Sequence, residues 1–291
     1  MDPVRWDDRP HLRRPVLVAA FEGWNDAGEC ASLAARYLAA QWAARQFATI
    51  DPEEFYDFTV TRPRVALRDG TRREVSWPDG ELSAASPVGT AHDVVFLHAA
   101  EPQLRWRTYT GALVEVARSL GVEIAITLGG LGAEVAHTMP VRVTGTAADP
   151  ELERRLGLER SRYQGPTGIV GVLHDALAGA EIPSASLWAG VPHYVSGTPS
   201  PKAALALVER TASLLGARIE TLDLEVAAAA YERQVSEVVS EDDDVAGYVA
   251  RLEELGDGDG GDDEEPDELP WPPPPDLAGE VERFLRDQSP E

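Results

Sequence analysis

Short apolar runs alternate along most of the chain with longer segments in which apolar residues recur every three or four positions. The runs are residues 15–21, 93–98, 123–128 and 186–191, each short enough for a strand buried on both faces. Between them the spacing predicts helices over about 27–42, 107–120, 169–178 and 201–215. Asn25 or Asp26 is placed to cap the first, whose Leu33, Tyr37, Leu38 and Trp42 are expected to face a sheet. Leu113, Val116, Ala117 and Leu120 form the inner face of the second, and Pro201 sits in the first turn of the last. Residues 55–60 have strand character. Residues 64–68 and 72–76 flank Asp69-Gly70, the signature of a hairpin closed by a type I′ turn.

The centre of this pattern is the stretch from Val122 to Ala147. A buried strand is expected to end at Gly129-Gly130-Leu131-Gly132, where glycines tolerate positive φ and let backbone N–H groups approach a ligand. A polar crossing, His137-Thr138, and Pro140 lead to a second strand at 141–146. A charged helical excursion or lid follows at 149–158, and Gly165-Pro166-Thr167-Gly168 opens the next helix. Strands alternating with helices predict an α/β fold: a mostly parallel sheet between two helical layers, with the hairpin as an antiparallel addition.

The character changes near residue 220. We expect an α/β core over 1–220 and a helical hairpin over 221–255. An acidic Gly/Pro-rich linker over 256–275 and a short terminal helix within 276–291 follow. The hairpin's apolar stripe needs a surface to pack on, either its own core or a neighbouring subunit or client. The linker's Asp-Gly repeats lack the flanking helices and closing Glu of a calcium-binding EF-hand.

Charge narrows the partners. The net charge is −24, of which residues 1–220 hold −5 and residues 221–291 hold −19. Without clustered Lys and Arg, nucleic acid is not an expected partner. Lys202 is the single lysine and follows no phosphate-binding glycine loop. One cysteine, Cys30, fits a reducing cytoplasm and reads as a small buried hydrophobe. No apolar run is long enough to span a bilayer, the charged start is not a secretory signal, and no histidine pair has metal-ligand spacing. Neither a membrane, a metal nor a cofactor is expected.

Candidate chemistry gathers where parallel strands end, the edge at which open α/β sheets bind ligands. Glu22, Asn25, Asp26, Glu101, Arg105, Gly129, Gly130, His137 and Thr138 all follow strand C-termini in this reading, and His193 ends another strand. Glu22 or Glu101 beside His137 would suit acid/base work, and Arg105 would hold an anion. The structural alternative has Asn25 and Asp26 capping a helix, Glu101 pairing with Arg105, and the glycines turning the chain. His98 and His174 lie on apolar elements and read as core residues.

Residues 21–28, Phe55-Tyr56-Asp57 through Arg62-Pro63, and Glu101-Pro102 with Trp106 form one set of segments. Gly129-Gly130 with His137-Thr138 and Pro140, Gly165-Pro166-Thr167-Gly168 and Val191-Pro192-His193-Tyr194 extend it. In their order and spacing the chain resembles an actinobacterial member of the proteasome assembly chaperone 2 family. The resemblance implies a three-layer α/β/α fold similar to purine nucleoside phosphorylases, assembly into homo-oligomers with a trimer the expected state, and no agreed activity. Met139 departs from the family, which commonly carries arginine there. The chain ends Asp287-Gln288-Ser289-Pro290-Glu291, unlike the hydrophobic-Tyr-any tail through which some relatives dock on the proteasome core, so that mode is not expected. The expected function is a chaperone-like or scaffolding role through contacts with itself and a protein client. The competing reading is an enzyme or sensor for a nucleoside or phosphorylated metabolite.

Overall fold

The computed structural model describes residues 3–68, 71–147, 150–158 and 164–256. The described residues form ten strands and seven α-helices. The main helices and the central apolar strands fall where the sequence pattern predicts, while the strands Val4–Trp6, Arg45–Ile50 and Gly80–Ala85 are additions to it. In chain order the strands are β1 (Val4–Trp6), β2 (Val16–Glu22), β3 (Arg45–Ile50), β4 (Arg64–Arg68), β5 (Arg72–Ser76) and β6 (Gly80–Ala85), then β7 (Val94–Ala100), β8 (Ile124–Ala133), β9 (Val143–Ala147) and β10 (Ser184–Pro192). Eight form one sheet in the order β1-β3-β6-β7-β2-β8-β10-β9, and β4 and β5 pair separately. The central β7, β2, β8 and β10 are parallel, and the flanking β6, β3, β1 and β9 run antiparallel to their neighbours.

Helices cover both faces. On one lie α1 (Cys30–Gln41) and α5 (Pro201–Leu215), on the other α2 (Trp106–Leu120) and α4 (Ile169–Gly179). Alternation along β2 assigns its side chains to the two layers: Leu17, Ala19 and Phe21 enter one core, and Val16, Val18 and Ala20 the other. This is the expected α/β/α arrangement.

Several local expectations change. Residues 55–60 form turns, not a strand: the Pro52 carbonyl accepts from the N–H groups of Phe55 and Tyr56, and the Asp57 carboxylate accepts from Thr59. Short polar side chains compete here with a strand ladder. Phe55 is nevertheless buried against Tyr109, ring centroids 5.1 Å apart. In α1 the inward face is Cys30, Ala31, Ala34, Ala35 and Leu38, so the helix lies close to the sheet while Leu33, Tyr37 and Trp42 flank it. The pairing of β4 with β5 is as expected, although Asp69 and Gly70 lie outside the described residues. The charged excursion is α3 (Pro150–Leu156), tied down by Leu152 in the interior and by Arg210 donating to the Leu156 carbonyl at 2.9 Å.

The helical hairpin is α6 (Leu222–Val239) and α7 (Asp243–Gly256). Its stripe packs on its own chain. Tyr231, Val235, Val239, Val245, Val249 and Leu252 form a third core with Ala136, Tyr194 and Val195. The linker and terminal helix expected beyond Gly256 lie outside the described residues.

Candidate functional site

The ends of the parallel strands do not form one site. They separate into a polar cleft beside Glu22 and Glu101, a capping centre around Asn25 and Asp26, and a closed network around His137.

Glu22, at the end of β2, lies 3.2 Å from His98 Nε2 and accepts from Arg36 Nη1 at 2.9 Å. The hydrogen bond from His98, with the nearby positive charge, outweighs partial burial and holds its carboxyl down to about 2. Glu22, Glu101 and His98 line an open cleft of about 700 Å³, walled by Arg62, Arg64 and Trp77 at the base of the β4–β5 hairpin. His98 is therefore half-exposed and engaged at the strand edge, not the core residue expected. The rule that singles out Glu22 and Glu101, a polar residue closing an apolar strand, also finds His98. Arg36 carries no such signal, since it is one polar residue on a helix surface.

Glu101 does not pair with Arg105. Its Oε1 accepts from Ile169 N at 2.8 Å, at the start of α4, and from Asn25 Nδ2 at 3.1 Å. It caps a helix that is distant in sequence. Arg105, at a left-handed φ of 52°, turns the chain into α2 and donates to Glu54 at 2.7 Å. Gly168 is required by this junction, because a Cβ there would lie 2.5 Å from Asn25 Nδ2 and 2.8 Å from Glu101 Oε1.

Asp26 performs the expected capping. Its Oδ1 accepts from Ala31 N at 2.7 Å and Ser32 N at 3.2 Å, while Oδ2 is buried with no hydrogen-bond partner. Burial pushes its carboxyl pKa up against the pull of those bonds. The same burial, with Asp26 adding to it, pushes the Cys30 thiol up, which keeps the sulfur protonated and inert.

Gly129 and Gly130 do not end the strand. β8 runs through them to Ala133, paired with β10 throughout. A Cβ on Gly129 would sit 2.4 Å from the Trp188 ring, and one on Gly130 would sit 2.5 Å from Cys30 Sγ and 2.6 Å from the Ala27 carbonyl. Gly130 also donates its N–H to the Asn25 carbonyl at 2.8 Å. Close packing of helix and indole on the sheet explains both glycines.

His137 and Thr138 lie under α6 and α7, outside the Glu22–Glu101 cleft. His137 Nδ1 meets Tyr194 Oη at 2.9 Å, Nε2 meets Ser236 Oγ at 2.9 Å, and its backbone N–H also donates to Tyr194 Oη. Thr138 donates to Glu253 on α7. Lys202 Nζ donates to the His137 carbonyl and to Glu232 on α6. Desolvation, with Lys202 adding to it, lowers the His137 pKa. His193 stacks edge-on against Tyr194 and Tyr248, its Nδ1 buried without a partner. These groups join the helical hairpin to the sheet.

Among the described residues, no helix is long and apolar enough to cross a membrane. The profile of the PAC2 family matches residues 20–239. A PAC2 family protein from Streptomyces avermitilis is 45% identical, with 81% of this chain and 99% of that one covered and a TM-score of 0.75. A proteasome-assembly chaperone homologue from Mycobacterium tuberculosis is also 45% identical, with 80% and 99% covered and a TM-score of 0.73. An archaeal proteasome activator from Pyrococcus furiosus shares the fold, with a TM-score of 0.65, 18% identity, and 81% and 97% covered. No curated protein matches the chain. The profile match across most of the chain and the near-complete likeness to two such relatives lead to one conclusion: this protein belongs to the PAC2 family.

Proposed function

We propose that the protein is a chaperone-like or scaffolding factor of the cytoplasm that works by binding proteins, itself included. The observation that carries this reading is the 45% identity, over 99% of its length, to a chain described as a proteasome-assembly chaperone homologue. The strand edge supports it. Asp26 and Glu101 are engaged in capping helices, and His137 is enclosed beneath α6 and α7. These carboxylates and this imidazole are used for architecture.

The reading as an enzyme or sensor for a phosphorylated metabolite draws less support. Its cleft sets Glu22, Asp79, Glu81 and Glu101 against only Arg62, Arg64 and His98, a balance that disfavours an anion.

The test is reconstitution. The purified protein is mixed with separately produced α and β subunits of the proteasome core from its own source, and assembly intermediates are followed by native electrophoresis. A complex with α subunits, or faster appearance of the complete core, is the expected result. No complex and an unchanged rate would refute the reading.

A further inference from the structure

The β4–β5 hairpin stands apart from the main sheet, and all ten of its strand residues are exposed. Such a two-stranded ribbon is marginal on its own in water. It is also two-faced. Val65 pairs directly with Val75, and the strand alternation puts Leu67 on the same side; the three are 60%, 50% and 60% exposed. Trp77 continues that side, half-exposed and packed on Phe58 at 4.9 Å. Arg73, paired with Leu67, shares that side, and the other side carries Arg64, Arg68 and Arg72, with Arg68 paired to Glu74 at 3.3 Å.

Charge indicates what covers it. Residues 62–77 hold five arginines and two acidic residues, so the hairpin carries +3 in a chain of −24. Two hairpins placed face to face would set +3 against +3, whereas the rest of any copy is strongly acidic. The start of α6 combines that acidity with uncovered apolar side chains. Leu222 and Val226, one turn apart, are 71% and 63% exposed and flanked by Asp223 and Glu225.

We propose that the hairpin of one copy docks on the start of α6 of a second copy, its apolar side on Leu222 and Val226, with Arg73, on that same side, toward Glu225. The contact is head-to-tail, so it closes into a ring or continues as a chain. It rests on the reading of the protein as one that binds proteins, itself included. Its test uses this protein alone, so failure here is distinguishable from failure of the reconstitution above.

The test is sedimentation of the full-length protein in low and high salt, with two variants. One is Val65→Ser/Leu67→Ser/Val75→Ser, the other Leu222→Ser/Val226→Ser. All five positions are exposed, so both variants keep the wild-type circular dichroism. We expect the wild type to assemble and to weaken in salt, and each variant alone to sediment as a single 291-residue chain. Mixed together, the two variants recover a pair, because each retains the half the other lacks. A monomeric wild type, either variant at wild-type size, or a mixture that stays monomeric would overturn the proposal.

Discussion

His137 and Ser236 lie 99 residues apart in the chain and 2.9 Å apart in the fold. The bond joins the loop after β8 to the middle of α6. Ser236 also donates to the Glu232 carbonyl at 2.9 Å, which leaves its oxygen to accept from His137 Nε2–H. Nδ1 is then free to accept from the Tyr194 hydroxyl. Every polar atom of the ring is engaged while it is neutral.

The His137→Ala substitution leaves Tyr194 Oη without its imidazole partner in the interior. A loss of about 1–3 kcal/mol in urea unfolding is expected. Hydrogen exchange should show it concentrated in α6 and α7, with the sheet retaining its protection until global unfolding. Uniform loss across the molecule would contradict the clasp.

Protonation of His137 puts a hydrogen where Tyr194 now donates. Because its folded pKa is lowered, the unfolded chain binds the proton first, and stability is complete above the unfolded value of about 6.5. It is lost as pH falls from there through the folded pKa. His174 adds to the loss. Half-buried between Thr127 Oγ1 at 3.0 Å and Ser184 Oγ at 2.7 Å, it is lowered by desolvation to about 4. Denaturant midpoints should therefore fall between about pH 6.5 and 4, with His174→Gln flattening the lower part of the profile. A flat profile across that range would refute both assignments.

The Asp26→Asn substitution tests the orphaned Oδ2. The amide keeps an oxygen to cap Ala31 and Ser32, and it removes a buried charge. Since the folded pKa of Asp26 is raised, its stabilising contribution is complete below the unfolded value of about 3.9 and is lost as pH rises through the folded one. The variant should melt higher than wild type at pH 7, with the gain vanishing toward pH 3. A lower melting temperature at pH 7 would mean that the charge itself is needed.

For Glu101, truncation and isosteric replacement should differ. Glu101→Ala loses the cap on Ile169 and is expected to cost about 1 kcal/mol. Glu101→Gln keeps a carbonyl at the same place and should recover most of it. Equal losses would argue that the cap contributes little.

Gly130→Ala separates packing from ligand binding. The added carbon meets the Ala27 backbone at 2.6 Å, and backbone cannot rotate away. Thermal unfolding should show a loss of about 1–3 kcal/mol or more. A variant with wild-type stability would reopen the ligand-loop reading.

Most of the alternation was legible because the central strands are continuous apolar runs, such as residues 94–97, and the main helices keep a clear period. β3 and β6 escaped for physical reasons. Arg45-Gln46 opens β3 with polar residues, and β6 is Gly-Glu-Leu-Ser-Ala-Ala, of low strand propensity; both are held by their neighbours in the sheet. The helix-capping role of Asp26 was readable because its partners lie five and six residues on. That of Glu101 was not, because Ile169 is 68 residues away. His137 pointed to the strand edge, but only the fold shows that α6 covers it.

Lys202 has a consequence for chemistry done to the protein. It is the chain's single lysine, and its side chain is only 17% accessible, held by the His137 carbonyl and Glu232. Every other basic side chain save the histidines is an arginine, which amine-directed acylation does not modify. Reagents and enzymes that form isopeptide or amide bonds with lysine thus meet one shielded target. Any covalent tag attached through it must first loosen the bridge to α6.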